Sequence, residues 1–311
     1  MALNLTGRTT TGLGYQVVTL MQKLHATRPA STPRPARRAP AAPVVSTDSL
    51  VTIVAVSLRV GTPASRSAGL ATALSEAFST PALGPRFVLL PGWTTKWPVG
   101  DDVVVDLCRK HAASVLFERC LGNTGTWTAF DGSGAPLGVE LNQVLSDSGQ
   151  ADREPETVDA LLRDCAPGGS RTVRLEGADV GLLCCGENNV LKCAQARGNE
   201  VSVRHHPKAS IFDHVPVVFN GAHSNMGNWN KLRKRFEYLA RDRRIAIFLT
   251  NNSRSSWRGS ARVYFDGGLL ADGEDVVVRD GPVGVRVVRD MHGDRFRALL
   301  VTAPGSVLQP R

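Results

Sequence analysis

The stretch Ala178–Glu187, with the sequence ADVGLLCCGE, predicts a buried strand that ends in two cysteines and a tight turn. Its apolar run is typical of a strand inside a sheet, and Gly186 lets the backbone turn sharply after Cys185. Ligand sites of α/β sheets lie at the carboxyl ends of strands, and backbone N–H groups at such a turn favour a thiolate. Cys185 is therefore a candidate nucleophile. The alternative is that both cysteines are small buried apolar side chains, as free cysteines usually are.

Strand and helix patterns alternate on either side of this stretch. We predict further strands at Val51–Leu58, Arg86–Leu90, Ala113–Cys120, Thr126–Phe130, Gly138–Leu145, Val215–Asn220, Ile245–Asn251, Ala261–Phe265, Val276–Arg279 and Val285–Val288. Helices are predicted at Ser65–Phe78, Asp101–Ala113, Glu156–Asp164 and Asn228–Arg243. This order favours an α/β layered fold with mixed sheets and helices on the outside.

Composition narrows the classes of protein that fit. The chain has 311 residues, 42% of them hydrophobic, and no apolar run reaches the length of a membrane span. Six cysteines, two of them adjacent, fit a reduced cytoplasmic protein better than a secreted disulfide scaffold. We therefore expect a soluble, cytoplasmic protein that does not enter a membrane. No His or Cys cluster has the spacing of a metal site, and we expect no cofactor.

Residues 1–48 differ from the rest of the chain. Much of the net charge of +9 lies here, because the segment contains basic residues but no Asp or Glu before Asp48. The prolines between Arg28 and Pro43 disfavour helix and sheet. We predict a flexible, basic, Pro/Ala-rich extension, for which a targeting role stays open, followed by one domain at residues 49–311. Nucleic-acid binding is not expected, because a nucleic-acid binder spreads its charge over a folded face.

Two more predicted strands end in polar residues. Val217–Arg235 reads VVFNGAHSNMGNWNKLRKR, a strand followed by a polar turn and a basic helix, and IAIFLT is followed by two asparagines. Polar loops after neighbouring strands are expected to form a substrate-facing wall. The candidate binding residues are Asn220, His223, Asn225 and Asn251.

Together these segments resemble the carbon–nitrogen hydrolase family, also called the nitrilase superfamily. The resemblance rests on Cys185-Gly186-Glu187, the stretch NGAHSNMG from Asn220 to Gly227, Asn251-Asn252 and Asp266-Gly267-Gly268. It covers about residues 49–290 and implies a four-layer αββα sandwich with mixed sheets. It also implies a homo-oligomer, paired through its helices, that acts on a small amide- or nitrile-like substrate.

The resemblance implies a mechanism with a cysteine nucleophile, a glutamate base and a lysine that stabilises the oxyanion. The cysteine carries over to Cys185. The base position is occupied by Gly92, in Leu90-Pro91-Gly92-Trp93, and the nearest match to the lysine is Asn142 or Gln143. Loss of a general base costs about 10²–10⁴ in rate, and loss of one oxyanion donor costs about 10²–10³.

Three glutamates are candidate substitute acids or bases: Glu187, Glu118 and Glu140. Strand alternation predicts that Glu140 and Asn142 point to the same face, so both would enter one cavity and Asn142 would contact the substrate. Each glutamate also fits a purely structural role. Two functions stay open: a thiol-dependent amidase or related acyl-transfer enzyme acting through Cys185, and a catalytically inactive relative that binds a ligand or a protein partner.

Overall fold

The structure is a computed structural model. It describes residues 49–58, 69, 72, 74–76, 86–96, 101–121, 124–194, 198, 200–223, 229–251, 259–277, 279–291 and 296–309. The predicted extension at residues 1–48 lies outside these ranges, and so does most of the predicted helix Ser65–Phe78. Within the described ranges no helix is long and apolar enough to cross a membrane.

The chain forms sixteen described strands, four described helices and two short 3₁₀ turns. The strands are β1 Leu50–Leu58, β2 Arg86–Leu89, β3 Thr95–Lys96, β4 Ser114–Leu121, β5 Thr124–Phe130, β6 Thr172–Leu175, β7 Ala178–Leu183, β8 Leu191–Ala194, β9 Glu200–Val203, β10 Val217–Ala222, β11 Ile245–Thr250, β12 Ala261–Phe265, β13 Gly268–Asp272, β14 Asp275–Val276, β15 Gly284–Met291 and β16 Phe296–Pro304. The helices are α1 Asp101–His111, α2 Ser148–Arg153, α3 Pro155–Asp164 and α4 Trp229–Leu239. The 3₁₀ turns are Glu187–Val190 and Gly305–Val307.

Two seven-stranded mixed sheets carry the fold. The first has the order β15-β16-β1-β2-β4-β3, with β5 paired to β4, and the second has the order β14-β13-β12-β11-β10-β7-β6. In the second sheet β10 runs parallel to both β7 and β11. The carboxyl ends of these three strands therefore meet at one edge, which brings the segments after β7, β10 and β11 together.

The two sheets pack face to face and helices cover their outer faces. The central layer joins apolar side chains of both sheets, such as Ile53 and Leu116 from the first and Leu182 and Ile247 from the second. One outer layer packs α1 against the first sheet, and the other packs α2, α3 and α4 against the second. The predicted four-layer αββα sandwich is confirmed.

Two predicted strands are wrong. Gly138–Leu145 forms only a single bridge, between Trp127 and Leu141, because Pro136 cannot donate to a ladder and Gly138 has a positive φ of 73°. Of Val276–Arg279 only Val276 lies in a described strand, as the last residue of β14. Strand β16 is missing from the sequence prediction, although it pairs along the whole length of β1.

Candidate functional site

Cys185 stands where β7 ends and the chain turns. Gly186 has a φ of 75° and begins the 3₁₀ turn Glu187–Val190, and a Cβ atom at Gly186 would overlap the Ser146 carbonyl. The turn therefore requires glycine for its backbone conformation and for its close packing. Cys185 is partly exposed. Cys184 is buried, and burial raises the pKa of its thiol well above the ordinary value, so it stays protonated.

Glu187 is held in a buried ion pair below this turn. Its two oxygens accept hydrogen bonds of 2.9 Å each from Nη1 and Nη2 of Arg171. The backbone N–H groups of Val144 and Cys184 donate to the same carboxylate at 2.8 and 2.7 Å. The Glu187 side chain is 0% exposed. Its lone pairs are thus used to fix the turn, and the geometry favours a positioning role over the predicted role as an acid or base.

Asn220 holds the end of β7 from the neighbouring strand. Its Nδ2 donates to the carbonyls of Leu183 and Cys184 at 2.9 and 2.8 Å, and its Oδ1 accepts from Asn188 at 3.0 Å. Arg235 of α4 donates in turn to Asn188 Oδ1 at 2.8 Å. Asn220 is buried, so it supports the backbone before Cys185 and does not face a substrate as predicted.

His223 and Glu118 meet across the two sheets. His223 follows β10, and its Nε2 lies 2.7 Å from Oε2 of Glu118. Leu116 of β4 points into the central layer and Phe117 points to the outer layer, so alternation sends Glu118 towards the second sheet. The Glu118 side chain is 0% exposed and that of His223 is 20% exposed. A buried carboxylate therefore orients the imidazole.

The Cys185 thiol influences the pKa of the same imidazole. Burial alone would lower the pKa of His223, but its hydrogen bonds to Cys185 and to Glu118 raise that pKa to about 9. His223 is therefore protonated near neutral pH. A cationic imidazole beside a thiol stabilises the thiolate, which is the nucleophilic form of cysteine.

Gly92 makes room for His223. A Cβ atom at Gly92 would overlap the imidazole at Cδ2 and would crowd the backbone of Ala222, while the Gly92 N–H donates to the Ala222 carbonyl at 3.1 Å. The resemblance places the family's glutamate at residue 92. In this chain the space above Gly92, next to β2 of the first sheet, is filled by the histidine that follows β10 of the second sheet.

Trp93 fixes the His223–Glu118 pair from one side. Its ring stacks on the imidazole with centroids 4.3 Å apart and planes 19° apart, and its backbone N–H donates to Glu118 Oε2 at 2.7 Å. Trp93 has a positive φ of 52°, a conformation that bulky residues rarely adopt. Strain of this kind persists where the surroundings over-determine it, often at functional sites.

We expect Trp93→Ala to lower kcat/KM by about 10²-fold through misplacement of the imidazole. Trp93→Phe keeps an aromatic face over His223 and should stay within about fivefold of the parent protein. The measurement is turnover of an activated acyl substrate by both variants. Equal losses in the two variants would show that stacking does not position the imidazole.

A cavity of about 350 Å³ opens beside this pair. Its lining consists of Glu118, Thr124, Gly125, Asn142, Gln143, Val144, Leu145, Ser146, Gln150 and His223. Cys185 adjoins it through His223 and through Gly186, which packs on the backbone of Leu145 and Ser146. The described lining contains no lysine or arginine. In the parts of the chain that the structure describes, no three His, Cys, Asp or Glu side chains gather into a metal site.

The remaining predicted site residues have different fates. Asn142 lines the cavity and accepts a 2.9 Å hydrogen bond from Thr126. Glu140 is 77% exposed, with Arg119 3.8 Å away, and lines a separate cavity of about 980 Å³. The prediction that Glu140 and Asn142 share one cavity is therefore wrong, because residues 138–145 are not a strand.

Asn251 is buried and its backbone N–H donates to the Ala222 carbonyl. Asn225 lies outside the described residues.

Sequence reasoning missed two residues of this arrangement. Arg171 is buried and holds Glu187, and Trp93 holds both His223 and Glu118. Arg171 carries no sequence signal, since a buried arginine looks like a surface one in sequence. Trp93 had a weak sequence signal, because it directly follows Gly92, which occupies the position where the resemblance implies a glutamate.

The fold is similar to that of solved structures that include a carbon–nitrogen hydrolase. A carbon–nitrogen hydrolase from Helicobacter pylori G27 matches with a TM-score of 0.51 and 11% identity, over 84% of this chain and 91% of that chain. The amidase from Nesterenkonia sp. AN1, a double mutant in complex with acrylamide, matches with a TM-score of 0.47 and 12% identity, over 88% and 94%. No protein-family model and no curated protein sequence matches this chain. At this level of identity the similarity shows the fold and not the activity.

Proposed function

We propose, from the premise that this chain has the carbon–nitrogen hydrolase fold, that it is a thiol-dependent amidase or related acyl-transfer enzyme. Cys185 is the nucleophile, His223 transfers protons and Glu118 orients the imidazole. One observation carries the proposal: His223 Nε2 lies 2.7 Å from Oε2 of the buried Glu118, and Cys185 and Glu118 together raise the pKa of that imidazole. A nucleophile, a base and a group that orients the base form the general arrangement of covalent acyl transfer.

The steps follow from the protonation states. The Cys185 thiolate attacks the amide carbon, which forms a C–S bond and places negative charge on the carbonyl oxygen. The His223 imidazolium protonates the leaving amine as the C–N bond breaks, which leaves a thioester and a neutral imidazole. The imidazole then takes a proton from water, the hydroxide attacks the thioester, and the thiolate leaves with the imidazolium restored. The sum is amide plus water giving acid plus amine.

The size and polarity of the cavity support a small substrate. A volume of about 350 Å³ lies at the lower end of the range for ligand pockets. Neutral polar side chains of Thr124, Asn142, Gln143 and Gln150 line it, and they match the donors and acceptors of an amide. Assembly into a homo-oligomer and a cytoplasmic location remain expectations from the sequence.

The experiment is selective labelling of thiols. Iodoacetamide near neutral pH is expected to label Cys185 ahead of the other five cysteines, because the imidazolium favours its thiolate and because Cys108, Cys120, Cys165 and Cys184 are buried. The matched control is Cys193, which is also partly exposed. Labelling is read by peptide mass spectrometry in the parent protein, in Cys193→Ala and in His223→Asn.

The His223→Asn substitution should slow the labelling of Cys185 by at least about tenfold and leave that of Cys193 unchanged. If Cys185 and Cys193 react at the same rate in every protein, the proposed function is contradicted.

A second candidate is the catalytically inactive binding module. The absence of lysine and arginine from the described lining of the cavity favours it, because no side chain there takes the place of the oxyanion-stabilising lysine that the resemblance implies. The two functions differ in acyl transfer. An enzyme releases p-nitrophenol from p-nitrophenyl acetate in a burst and carries an acetyl group on Cys185. In a binding module, iodoacetamide would still alkylate Cys185, but p-nitrophenyl acetate would form no acetyl thioester on it.

A further inference from the structure

Arg235 is a buried cation without a counter-ion. It lies on α4 and is 6% exposed, and its guanidinium pairs with no carboxylate among the described residues, since its hydrogen bonds go to neutral side chains. The neighbouring Arg204 takes the carboxylate of Asp152. Burial and the charge of Arg204 lower the pKa of Arg235 to about 10, so Arg235 is still charged near neutral pH. A buried charge that no opposite charge compensates is costly, and its presence requires an explanation.

Both hydrogen bonds of this guanidinium go to the turn that follows the nucleophile. Nη1 of Arg235 donates to Asn188 Oδ1 at 2.8 Å and to Asn189 Oδ1 at 2.7 Å. These asparagines are the two central residues of the 3₁₀ turn Glu187–Val190. Because the cation takes the amide oxygens, the amide nitrogens are left to donate elsewhere. One nitrogen of the helix therefore fixes the orientation of two adjacent side chains.

The two amides continue to the backbone on either side of the nucleophile. Asn188 Nδ2 donates to Asn220 Oδ1 at 3.0 Å, and Asn220 Nδ2 donates to the Cys184 carbonyl at 2.8 Å. Asn189 Nδ2 donates to the Gly186 carbonyl at 2.8 Å. Two branches of hydrogen bonds thus run from one guanidinium to the residue before Cys185 and to the residue after it. A charged donor strengthens such a chain, because each bond polarises the next one.

We infer that Arg235 is a positioning residue that holds the Cys185 nucleophile in place through the two asparagines of the turn. The inference rests on the proposed function, in which Cys185 attacks the substrate. Arg235 is absent from the described lining of the cavity beside His223, so its effect is on the placement of the nucleophile and not on substrate binding. A misplacement of about 1 Å in a reacting group costs about 10²-fold in rate.

The test separates the rate of acetylation from the binding of the ester. The p-nitrophenol burst gives the rate constant for acetylation of Cys185 at saturating p-nitrophenyl acetate, and its dependence on concentration gives the ester concentration at half that rate. A variant that merely folds less well gives a smaller burst with an unchanged rate constant, whereas a misplaced nucleophile gives a smaller rate constant.

Arg235→Met removes the charge and both donors. It should lower the rate constant by about 10²-fold and leave the half-saturating concentration within about threefold of the parent value. Arg235→Lys keeps a charged nitrogen that can donate to both asparagines, because both bonds come from a single nitrogen in the parent protein. It should restore the rate constant to within about tenfold of the parent.

The matched control is Arg233→Met on the same helix. Arg233 is 52% exposed and pairs with Glu237 at 3.4 Å, so its loss should leave the rate constant within about twofold of the parent. If Arg235→Met does not fold, Asn188→Asp decides the question. This variant keeps an acceptor for Arg235 but loses the donor to Asn220, and it should lower the rate constant by about tenfold.

The inference is overturned if folded Arg235→Met, or Asn188→Asp in its place, acetylates at the parent rate, or if Arg235→Lys is as slow as Arg235→Met. In each of these cases the proposed function survives when the parent protein carries an acetyl group on Cys185 and His223→Asn slows its formation. If the parent protein forms no acetyl thioester, the proposed function fails and this inference fails with it.

Discussion

His223→Ala is expected to lower kcat/KM for an activated acyl substrate by about 10²–10⁴, the usual effect of losing a general acid–base group. In the proposed mechanism His223 protonates the leaving group and activates water, and the variant removes both functions. Removing the imidazole also leaves the Glu118 carboxylate buried without its partner, so folding is checked by circular dichroism. His223→Asn keeps a polar side chain of similar size at the site and serves as the second variant.

The matched control is His206→Ala. His206 is 43% exposed and pairs with Asp159 at the surface, so its loss should leave kcat/KM within about twofold of the parent, as for most surface substitutions. If the two alanine variants lose activity to the same extent, the assignment of His223 is contradicted.

The pH dependence of the parent protein follows from the same histidine. Its folded-state pKa is raised to about 9 from an ordinary value near 6.5, so the imidazolium persists through neutral pH and is lost as the pH rises through about 9. We expect kcat/KM to fall above that pH. The stability that protonated His223 contributes is present in full below about 6.5 and disappears over the same rise, between about pH 6.5 and 9.

A pH–rate profile of the parent protein and of His223→Asn checks this prediction. The limb that descends near pH 9 should be absent in the variant. A profile that stays flat to pH 10 in the parent protein, or a limb that survives in the variant, would mean that another group titrates.

Arg171→Met is expected to lower the free energy of unfolding by about 3–5 kcal/mol, because it leaves the buried Glu187 carboxylate without its cation. The arginine is 2% exposed and the glutamate 0% exposed. Arg171 also donates to Cys184 Sγ and to the Asn142 carbonyl, both at 2.9 Å. The pair therefore ties the turn that carries Cys185 to the segment that lines the cavity.

The control is Arg174→Met, three residues along the chain. Arg174 pairs with Asp179 at 3.1 Å and is 42% exposed, so its loss should cost less than about 1 kcal/mol. Urea unfolding of both variants, with an unchanged slope, measures the difference. Equal midpoints for the two variants would show that the buried pair does not hold the turn.

The fold was predictable to a large extent because the central strands are buried on both faces. Continuous apolar runs such as Ile245–Thr250 have few alternatives in an α/β pattern. Some other strands were less predictable from the sequence. Strand β16 is also an apolar run, FRALLVTAP, but a short run of this kind does not distinguish a strand from a buried helix segment. Its pairing with β1 depends on contacts far along the chain.

The individual site residues were partly predictable. Cys185 and Gly186 are neighbours in sequence, and a strand that ends in such a pair has a local signature. Glu187 looked like a substitute base for the same reason. Its burial against Arg171 favours structural support over that role, and the partner lies sixteen positions away with no local signal.

The sequence alone determined the layered architecture and the position of Cys185 on a turn at a strand end, because both depend on local patterns of burial and backbone conformation. Only the tertiary structure decided which groups meet the thiol. Glu118 and His223 are 105 positions apart and belong to different sheets, so their contact depends on how the sheets pack and on the space above Gly92. Packing between distant strands produces no periodic pattern in the sequence, so the contact between Glu118 and His223 could be found only in the tertiary structure.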